Sequence, residues 1–453
     1  MRFLTILLIM VPIVSVCMAQ APAQGPNHPL TLREAIDMAL ARNPEVLLAQ
    51  AQLDELDGKV KEVRSEAFPQ VTFSGFGLRV RDPSFLNSSA FDDLPPEFRN
   101  ALVPRPANLF DLGVGLSQPL YTAGKVRNAV RLAQEGRKEK EAGLETARQQ
   151  VAFKVFQAYY DLLLAQENLT VLEETYRQRQ KQLELAKARF SQGVSTEIDV
   201  LRSEVSLANT EPYLIRANNR IRLARAALNN LIVVDLENPT QLAGKLEYHP
   251  QTVEDLAQIQ HAAMQARPEV QAAQRVVAEN GLLLTLAKSE NKLKVDLDTR
   301  FGYNVRQTVN LFNNNFARWN FTVNLKLPLY DGGRKAGLVV QAMARLRTAQ
   351  QSLARLENNV QLEIKAAYDD LKSSEKALTV AGLNVGQAEK VLSMMQANYK
   401  YGAATTLDVV DSQTALTVAR NAQVNATYDY VLARARLRLA AGSPILEGEV
   451  SQP

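Results

Sequence analysis

Two aspartates three residues apart, Asp408 and Asp411, follow a glycine-containing turn at 401–402. Because residues three apart share one face of an α-helix, both carboxylates would point the same way. In a symmetric tube built from several chains they would form rings of carboxylates, which attract cations and raise one another's pKa through repulsion. The alternative is ordinary helix capping, since acidic residues are favoured near a helix N-terminus.

The rest of the chain offers no constellation for catalysis or metal binding. His28, His249 and His261 are scattered, and His261 lies on an alanine-rich segment where we expect a solvated side chain. GFGLRV at 75–80 lacks the third glycine and the βαβ context of a dinucleotide loop, and YTAGK at 121–125 lacks the spacing of a P-loop. With no nucleophile–base pair visible, we expect no enzymatic activity, no cofactor and no metal.

Composition and charge narrow the class further. The chain has 453 residues, with 52 Lys and Arg against 48 Asp and Glu, so the formal net charge is only +4. It has no basic block, and we therefore expect no nucleic-acid partner. Aromatic residues make up 6% of the chain, while Ala, Gln, Leu, Glu and Arg are plentiful, which favours long helices.

The N-terminus predicts an exported protein. Arg2 supplies a positive charge, residues 3–16 are mainly apolar, and small residues up to Ala19 offer a cleavage site, which predicts a signal peptide over 1–19. An N-terminal membrane anchor is the alternative, although the apolar run is short for one. Cys17 follows Val16 rather than a small residue, and its lipidation stays open. No later stretch has 18 consecutive apolar residues, so the exported chain would be soluble or insert as a β-barrel.

The chain is internally duplicated. SQPLYTAGKVRNAV at 117–130 matches KLPLYDGGRKAGLV at 326–339 at five of fourteen positions, with an offset of 328 − 119 = 209. The segments 188–210 and 397–419 match at 7 of 23 positions at the same offset. ARNPEVLLAQ and QARPEVQAAQ match at an offset of 268 − 44 = 224, which places about 15 extra residues in the first copy. The segment 81–109, rich in Pro, Asn and Ser, reads as the long loop that holds them.

Each copy carries two strand-like segments. Apolar and polar residues alternate through 295–305 and 319–327, clearly through 110–116 and less clearly through 71–80. A soluble sandwich would show the same alternation. The polar positions include charged residues, however, and aromatic residues lie near the segment ends, both of which suit an outer-membrane barrel with a wet lumen. The aromatic residues are Phe68, Phe110, Tyr121, Trp319 and Tyr330. Four strands cannot close a barrel, so several chains would have to pool theirs.

A long proline-free stretch follows each PLY…G sequence. Apolar residues from Ala158 to Phe190 recur in steps of three and four, with Arg179 as the exception, and adding 209 gives a matching series. This heptad pattern predicts helices that supercoil against neighbours. We predict a helix over about 124–190, roughly 100 Å long, then a glycine turn and a return helix over about 196–233. The return helix is shorter than the first helix, and further helices over about 30–63 and 253–290 would cover the rest of the first helix's length.

The duplication, the two PLY…G junctions and the turn sequences RFSQGVSTEIDVL and YKYGAATTLDVVD together make the chain resemble the TolC family of outer-membrane efflux proteins. The resemblance covers nearly the whole mature chain. It implies a mainly α fold with membrane β, in which a homotrimer closes a 12-stranded β-barrel, four strands per chain, continued by a long periplasmic α-helical barrel. Each chain would contain two internal repeats.

The resemblance also implies a function. Such a protein is the passive exit duct of a tripartite efflux or type I secretion system, located in the outer membrane among its lipids and extending into the periplasm. A periplasmic adaptor and an inner-membrane pump would open it at its periplasmic tip. The rival hypothesis is a soluble periplasmic coiled-coil adaptor or scaffold. An adaptor would need lipoyl-like and small β domains rather than two alternating hairpins at equivalent repeat positions.

The family's gate residues map onto the turn regions of this chain. The resemblance assigns Asp408 and Asp411 to the acidic rings and Asp199 with Tyr399 to a link between neighbouring hairpins. Some relatives carry an arginine two residues after the turn glycine, where this chain has Ala404. We therefore expect its closed state to be held by fewer links.

The same resemblance places adaptor docking at the two turns, where relatives meet the helical hairpin of an adaptor. The matching residues are Arg189, Gly193, Val194, Tyr401 and Gly402. For Arg189, a solvated cation at the end of a helix is the alternative.

The predicted organisation follows from these segments. It comprises a signal peptide (1–19), a first repeat (20–235) with a helix, a β-hairpin (about 68–120) and a helical hairpin (about 124–235), a linker (236–252), a second repeat (253–442) with a helix, a β-hairpin (about 294–329) and a helical hairpin (about 332–442), and a C-terminal tail (443–453).

Overall fold

The computed structural model describes residues 28–248 and 255–444. The predicted signal peptide, Cys17, His249 and most of the predicted tail lie outside these residues. The described residues divide into two compact units, the first from 28–47, 147–248, 255–263 and 362–444, and the second from 48–146 and 264–361. The units therefore do not coincide with the two sequence repeats, because each unit draws on both.

The described chain is mainly helical with one sheet. The helices are α1 (Leu32–Arg42), α2 (Pro44–Ser65), α3 (Pro96–Leu102), α4 (Lys125–Ser191), α5 (Glu197–Ala208), α6 (Glu211–Leu231), α7 (Leu256–Ala266), α8 (Pro268–Lys288), α9 (Arg334–Lys400) and α10 (Thr406–Ala440). The strands are β1 (Gln70–Val80), β2 (Ala107–Tyr121), β3 (Lys294–Val305) and β4 (Ala317–Lys326). No helix in the described ranges is long and apolar enough to cross a membrane.

The four predicted strands are present and lie in the second unit, in the order β1–β2–β3–β4 with every pair antiparallel. The register places Val114 opposite both Phe73 and Phe301, so apolar residues of neighbouring strands share one face. The other face carries polar residues, and there Arg300 pairs with Asp111. Trp319 on the apolar face is 75% exposed. The predicted alternation thus gives β2, β3 and β4 one apolar and one polar face, whereas β1 places Phe76, Leu78 and Val80 on the same face as Asp111.

Each PLY…G sequence marks a change from strand to helix. In the first copy Ala123 and Gly124 both have positive φ, 51° and 80°, and in the second copy Gly332 and Gly333 do, at 62° and 86°. Two successive left-handed residues turn the chain sharply, and this region favours glycine. In the second copy the Asp331 carboxylate accepts the backbone N–H of Gly333 at 3.0 Å, which fixes the start of α9.

The two long helices repeat as the sequence predicts. Both α4 and α9 contain 67 residues, and their first residues are separated by 334 − 125 = 209. Along α4, the heptad residues Ala158, Leu162 and Ala165 are buried in the first unit. The hydroxyl of buried Tyr159 donates to Leu30 O at 3.1 Å and accepts the backbone N–H of Gly244 at 3.0 Å. This side chain therefore fixes two irregular segments against α4.

Three predicted continuous helices are broken. The helices expected over 30–63 and 253–290 divide at Asn43–Pro44 and at Arg267–Pro268. The residue before a proline is pushed towards extended backbone, so the proline begins a new helix. The return helix expected over 196–233 divides at Asn209–Thr210, while its counterpart α10 runs unbroken for 35 residues. The segment 81–109, expected to be a loop, contains the short helix α3 and the start of β2.

Candidate functional site

The first turn, between α4 and α5, is held by its own backbone. Gly193 has a φ of +73°, and its N–H donates to Phe190 O at 2.9 Å. The N–H of Val194 donates to Arg189 O at 3.0 Å. This pair of bonds is the Schellman arrangement, which satisfies the last carbonyls of a helix and favours glycine at the left-handed position. Val194 itself is 61% exposed.

The second turn, between α9 and α10, has the same geometry. Gly402 has a φ of +78° and donates to Tyr399 O at 3.2 Å, while the N–H of Ala403 donates to Asn398 O at 2.9 Å. Tyr401 is 89% exposed. The two turns therefore present one backbone shape with different exposed side chains.

Asp408 and Asp199 occupy equivalent places, since 408 − 199 = 209. The Asp408 carboxylate accepts the N–H of Thr405 at 2.8 Å and its hydroxyl at 2.7 Å. The Asp199 carboxylate accepts the N–H of Thr196 at 3.2 Å and its hydroxyl at 2.8 Å. Both are the third residue of a helix, in the arrangement called a capping box. Asp408 thus fulfils the capping alternative; the acidic ring requires further chains and stays a prediction.

Both carboxyls are held in the ionised form. Hydrogen bonds from the hydroxyl and then the backbone of Thr405 keep the pKa of Asp408 below its ordinary value. Burial disfavours the charge on Asp199, but hydrogen bonds from Thr196, Thr406 and Ser195 together outweigh it, so the pKa of Asp199 is also lowered. Each helix N-terminus therefore carries a full negative charge at neutral pH.

The predicted pair Asp199 and Tyr399 meets through a third residue. Tyr399 is 5% exposed, and its hydroxyl oxygen lies 3.2 Å from that of buried Thr406. Thr406 also forms a hydrogen bond to the Asp199 carboxylate. A chain of polar groups thus joins the ends of α9, α10 and α5. The linking role of Asp199 and Tyr399 stays a prediction, and Thr406 is a member that the sequence did not indicate.

Arg189 joins the two turns. Its guanidinium carbon lies 4.7 Å from the centre of the Tyr399 ring, and its Nη1 donates to Tyr399 O at 3.0 Å. Cations over aromatic faces are stabilised electrostatically. Within the single chain Arg189 therefore holds α4 against α9, rather than pointing freely into solvent.

The remaining predicted residues lie on the surface of the chain. Asp411 is exposed, one helical turn after Asp408, and Ala404 is partly buried. His261 is exposed, as expected from the sequence. Within residues 28–248 and 255–444, no group of His, Cys, Asp and Glu is arranged to hold a metal ion.

A groove beside the turns was not apparent in the sequence. It has a volume of about 610 Å³ and lies between α5 and α10, with Arg179 of α4 reaching it. Its lining is mainly apolar, from Ile198, Leu201, Val205, Tyr213, Leu407 and Val410. These side chains lie on α5, α6 and α10, and the heptad pattern, which describes only α4 and α9, gives no information about them.

Comparison with known proteins identifies relatives over almost the whole chain. The model of a family described as outer membrane efflux protein matches residues 35–232 and 259–443. The chain is 27% identical to the outer membrane protein TolC of Vibrio cholerae over 421 residues, 91% of this chain and 90% of that protein. It is 24% identical to the outer membrane efflux protein BepC of Brucella suis, over 90% of each. The Campylobacter jejuni CmeC outer membrane channel has the same fold, with a TM-score of 0.77 at 20% identity over 91% of this chain and 85% of that one.

Proposed function

The chain belongs to the outer membrane efflux protein family, and from that premise we propose that three copies form a passive exit duct across the outer membrane. The sheet is the observation that carries this proposal. Strands β2, β3 and β4 present one face of mainly apolar and aromatic residues, exposed along β4, and one face with charged and amide residues. A barrel in a membrane needs an apolar outer band and tolerates a polar lumen.

The sheet edges support closure of the barrel by several chains. In the described structure β1 and β4 each pair on one side only, so the outer edges of the four strands are open. Open edges are not tolerated in lipid, because their backbone groups would lack hydrogen-bond partners. Pairing β4 of one copy with β1 of the next closes a ring, and three copies supply 3 × 4 = 12 strands.

We propose that the duct is gated at the two turns. Asp408 and Asp411 lie one helical turn apart on α10, and three copies would present rings of carboxylates there. The contacts of Asp199, Thr406 and Tyr399 would hold α5 against the second hairpin in the closed state. Opening then requires these contacts to separate.

The partners are proposed from the same premise. Exposed Val194 and Tyr401 at the turns offer an apolar contact to the helical hairpin of a periplasmic adaptor. An inner-membrane pump would supply the energy for transport, since the duct itself performs no chemistry. The proposal covers both efflux and type I secretion, because the duct architecture serves either cargo. The rival hypothesis, a soluble adaptor or scaffold, leaves the exposed aromatic residues of the sheet unexplained.

Conductance of the purified protein in planar bilayers tests the proposal. We expect small, cation-preferring channels that lose this preference in Asp408→Asn/Asp411→Asn. Asp370→Asn is the matched control, because Asp370 is exposed on α9 about 45 Å from the turn. Channels that keep their preference in the double variant would leave the duct and reduce the two aspartates to helix caps. Failure to insert would refute the duct and favour the soluble scaffold.

A further inference from the structure

Arg179 interrupts the heptad pattern of α4, and the two repeats differ at this position. The equivalent residue of α9, at 179 + 209 = 388, is Ala388. Among the described residues the Arg179 guanidinium has no carboxylate partner, and it is partly buried. That burial lowers the pKa of Arg179. Partial burial of a cation without a counter-ion costs free energy unless its N–H groups are hydrogen-bonded, so Arg179 needs specific acceptors.

The break between α5 and α6 supplies that partner. In a continuous helix the N–H of Thr210 would bond to Ser206 O, but here it donates to Leu207 O at 2.9 Å. Pro212 has no N–H to offer Ala208 O. The break therefore removes the regular donors of the last carbonyls of α5, and Ser206 O accepts the Thr210 hydroxyl at 3.1 Å instead.

Arg179 reaches this break from α4. Its Nη1 donates to Ser206 O at 2.9 Å and to the Thr210 hydroxyl at 2.8 Å. Its Nη2 lies 3.4 Å from the Thr414 hydroxyl on α10. One guanidinium thus binds the end of α5, the first turn of α6 and the facing helix.

The second repeat has neither the break nor the cation. The counterparts of Thr210 and Pro212 are Ala419 and Asn421, inside the unbroken α10. Alanine and asparagine leave the regular helical hydrogen bonds intact, so no outside donor is needed there. The occurrence of Arg179 only in the repeat with the break ties the two features together.

The helix that the break separates is weakly packed. Within the single chain, one of the 12 residues of α5 is buried, Ser203, and three of the 21 residues of α6, against 16 of the 35 residues of α10. The groove beside α5 leaves room on its apolar side. A segment with few buried contacts opens at low free-energy cost.

We propose that Arg179 is the positioning residue that fixes α5 against α4 and α10 at the Asn209–Thr210 break. This inference rests on the proposed gate, because α5 carries Asp199. The guanidinium bonds hold the end of α5, and their loss should loosen α5 more than the second half of α6, where Ile221, Leu228 and Asn229 are buried. This arrangement therefore belongs to the first repeat alone.

Backbone hydrogen exchange of the purified full-length protein tests this assignment independently of channel activity. In Arg179→Ala we expect exchange to rise roughly 30- to 150-fold across 197–210, because two to three hydrogen bonds are lost. Exchange in 221–231 and in 406–440 should stay as in the wild type. Arg177→Ala is the matched control. Exposed Arg177 lies on the same helix, where it forms an ion pair with Glu173 at 3.9 Å and a hydrogen bond from its Nε to the backbone oxygen of Glu173 at 3.3 Å.

A rescue variant separates positioning from general packing. Thr210→Ala/Pro212→Asn gives the break the residues of the unbroken repeat, so it should restore protection over 197–210 in the Arg179→Ala background. An unchanged exchange rate in Arg179→Ala would overturn the inference, and so would a rise that spreads through α6 and α10 or resists the rescue. The bilayer measurement separately decides the duct, so a protein that exchanges as expected but never conducts would refute the proposed function only.

Discussion

Tyr159→Phe tests the contact that ties two irregular segments to α4. Tyr159 is 2% exposed, and its hydroxyl donates to Leu30 O at 3.1 Å and accepts the N–H of Gly244 at 3.0 Å. Phenylalanine keeps the ring and removes only the oxygen, so the change isolates these two hydrogen bonds.

The structure sets the size of the effect. Each bond contributes about 1 kcal/mol, and a buried polar group left without a partner costs about 1–3 kcal/mol. Leu30 O keeps a second donor, the N–H of Ala243 at 3.0 Å. Gly244 is exposed, so water can replace the hydroxyl there. Neither group is fully orphaned, and we expect a loss of about 1–2 kcal/mol rather than more.

Urea unfolding followed by helical circular dichroism measures this loss. Tyr401→Phe is the control, because Tyr401 is 89% exposed and should show no effect. A second change sharpens the test, since a Cβ added at Gly244 would lie 2.8 Å from the Tyr159 hydroxyl oxygen. Gly244→Ala should therefore cost less in the Tyr159→Phe background than alone. Equal losses in Tyr159→Phe and Tyr401→Phe, or additive effects in the pair, would refute the reasoning.

Two further predictions concern the gate and the sheet. The pKa of Asp199 is lower in the folded than in the unfolded state, so the stability that its charge adds is complete above the unfolded value of about 3.9 and is lost as pH falls through the folded value. In unfolding curves the wild type should be more stable than Asp199→Asn at pH 6, and this difference should close towards pH 2. A difference that persists at pH 2 would contradict the lowered pKa. Gly302→Ala should prevent the barrel from assembling, because the methyl group would collide with Leu112 O. Gly386→Ala on α9 is the control, since its methyl group would meet open space. The amount of each variant recovered from purified outer membranes measures assembly, and equal amounts would contradict the predicted collision.

The long helices were predictable because their signal is local and repeated. A helix predicted over about 124–190 is observed over Lys125–Ser191, since the heptad pattern and the flanking glycines both mark its ends. Pro44 and Pro268 are visible in the sequence, but the sequence does not tell whether such a proline lies in the first turn of a single helix or separates two helices. Tertiary contacts decide between those two cases.

The residues of the candidate site also differ in how far the sequence predicts them. The capping residues Thr405 and Asp408 are readable from their spacing, because a capping box is local. Thr406 and Arg179 act through contacts with residues far away in sequence, Asp199 and Thr414. Their roles depend on which helix faces meet, and the heptad pattern specifies only the stripe along α4 and α9. Arg179 did stand out, but only as an exception to that stripe.

The two turns share a backbone and differ in side chains, which has a consequence for molecular recognition. The adaptor proposed above, if it recognised the Schellman backbone at Gly193, would meet the same backbone at Gly402, so one binding motif would have two quasi-equivalent sites per chain. Val194 at one site and Ala403 at the other would make those sites unequal in affinity. Two linked copies of the motif would then bind with avidity, the weaker contact adding to the stronger through effective concentration.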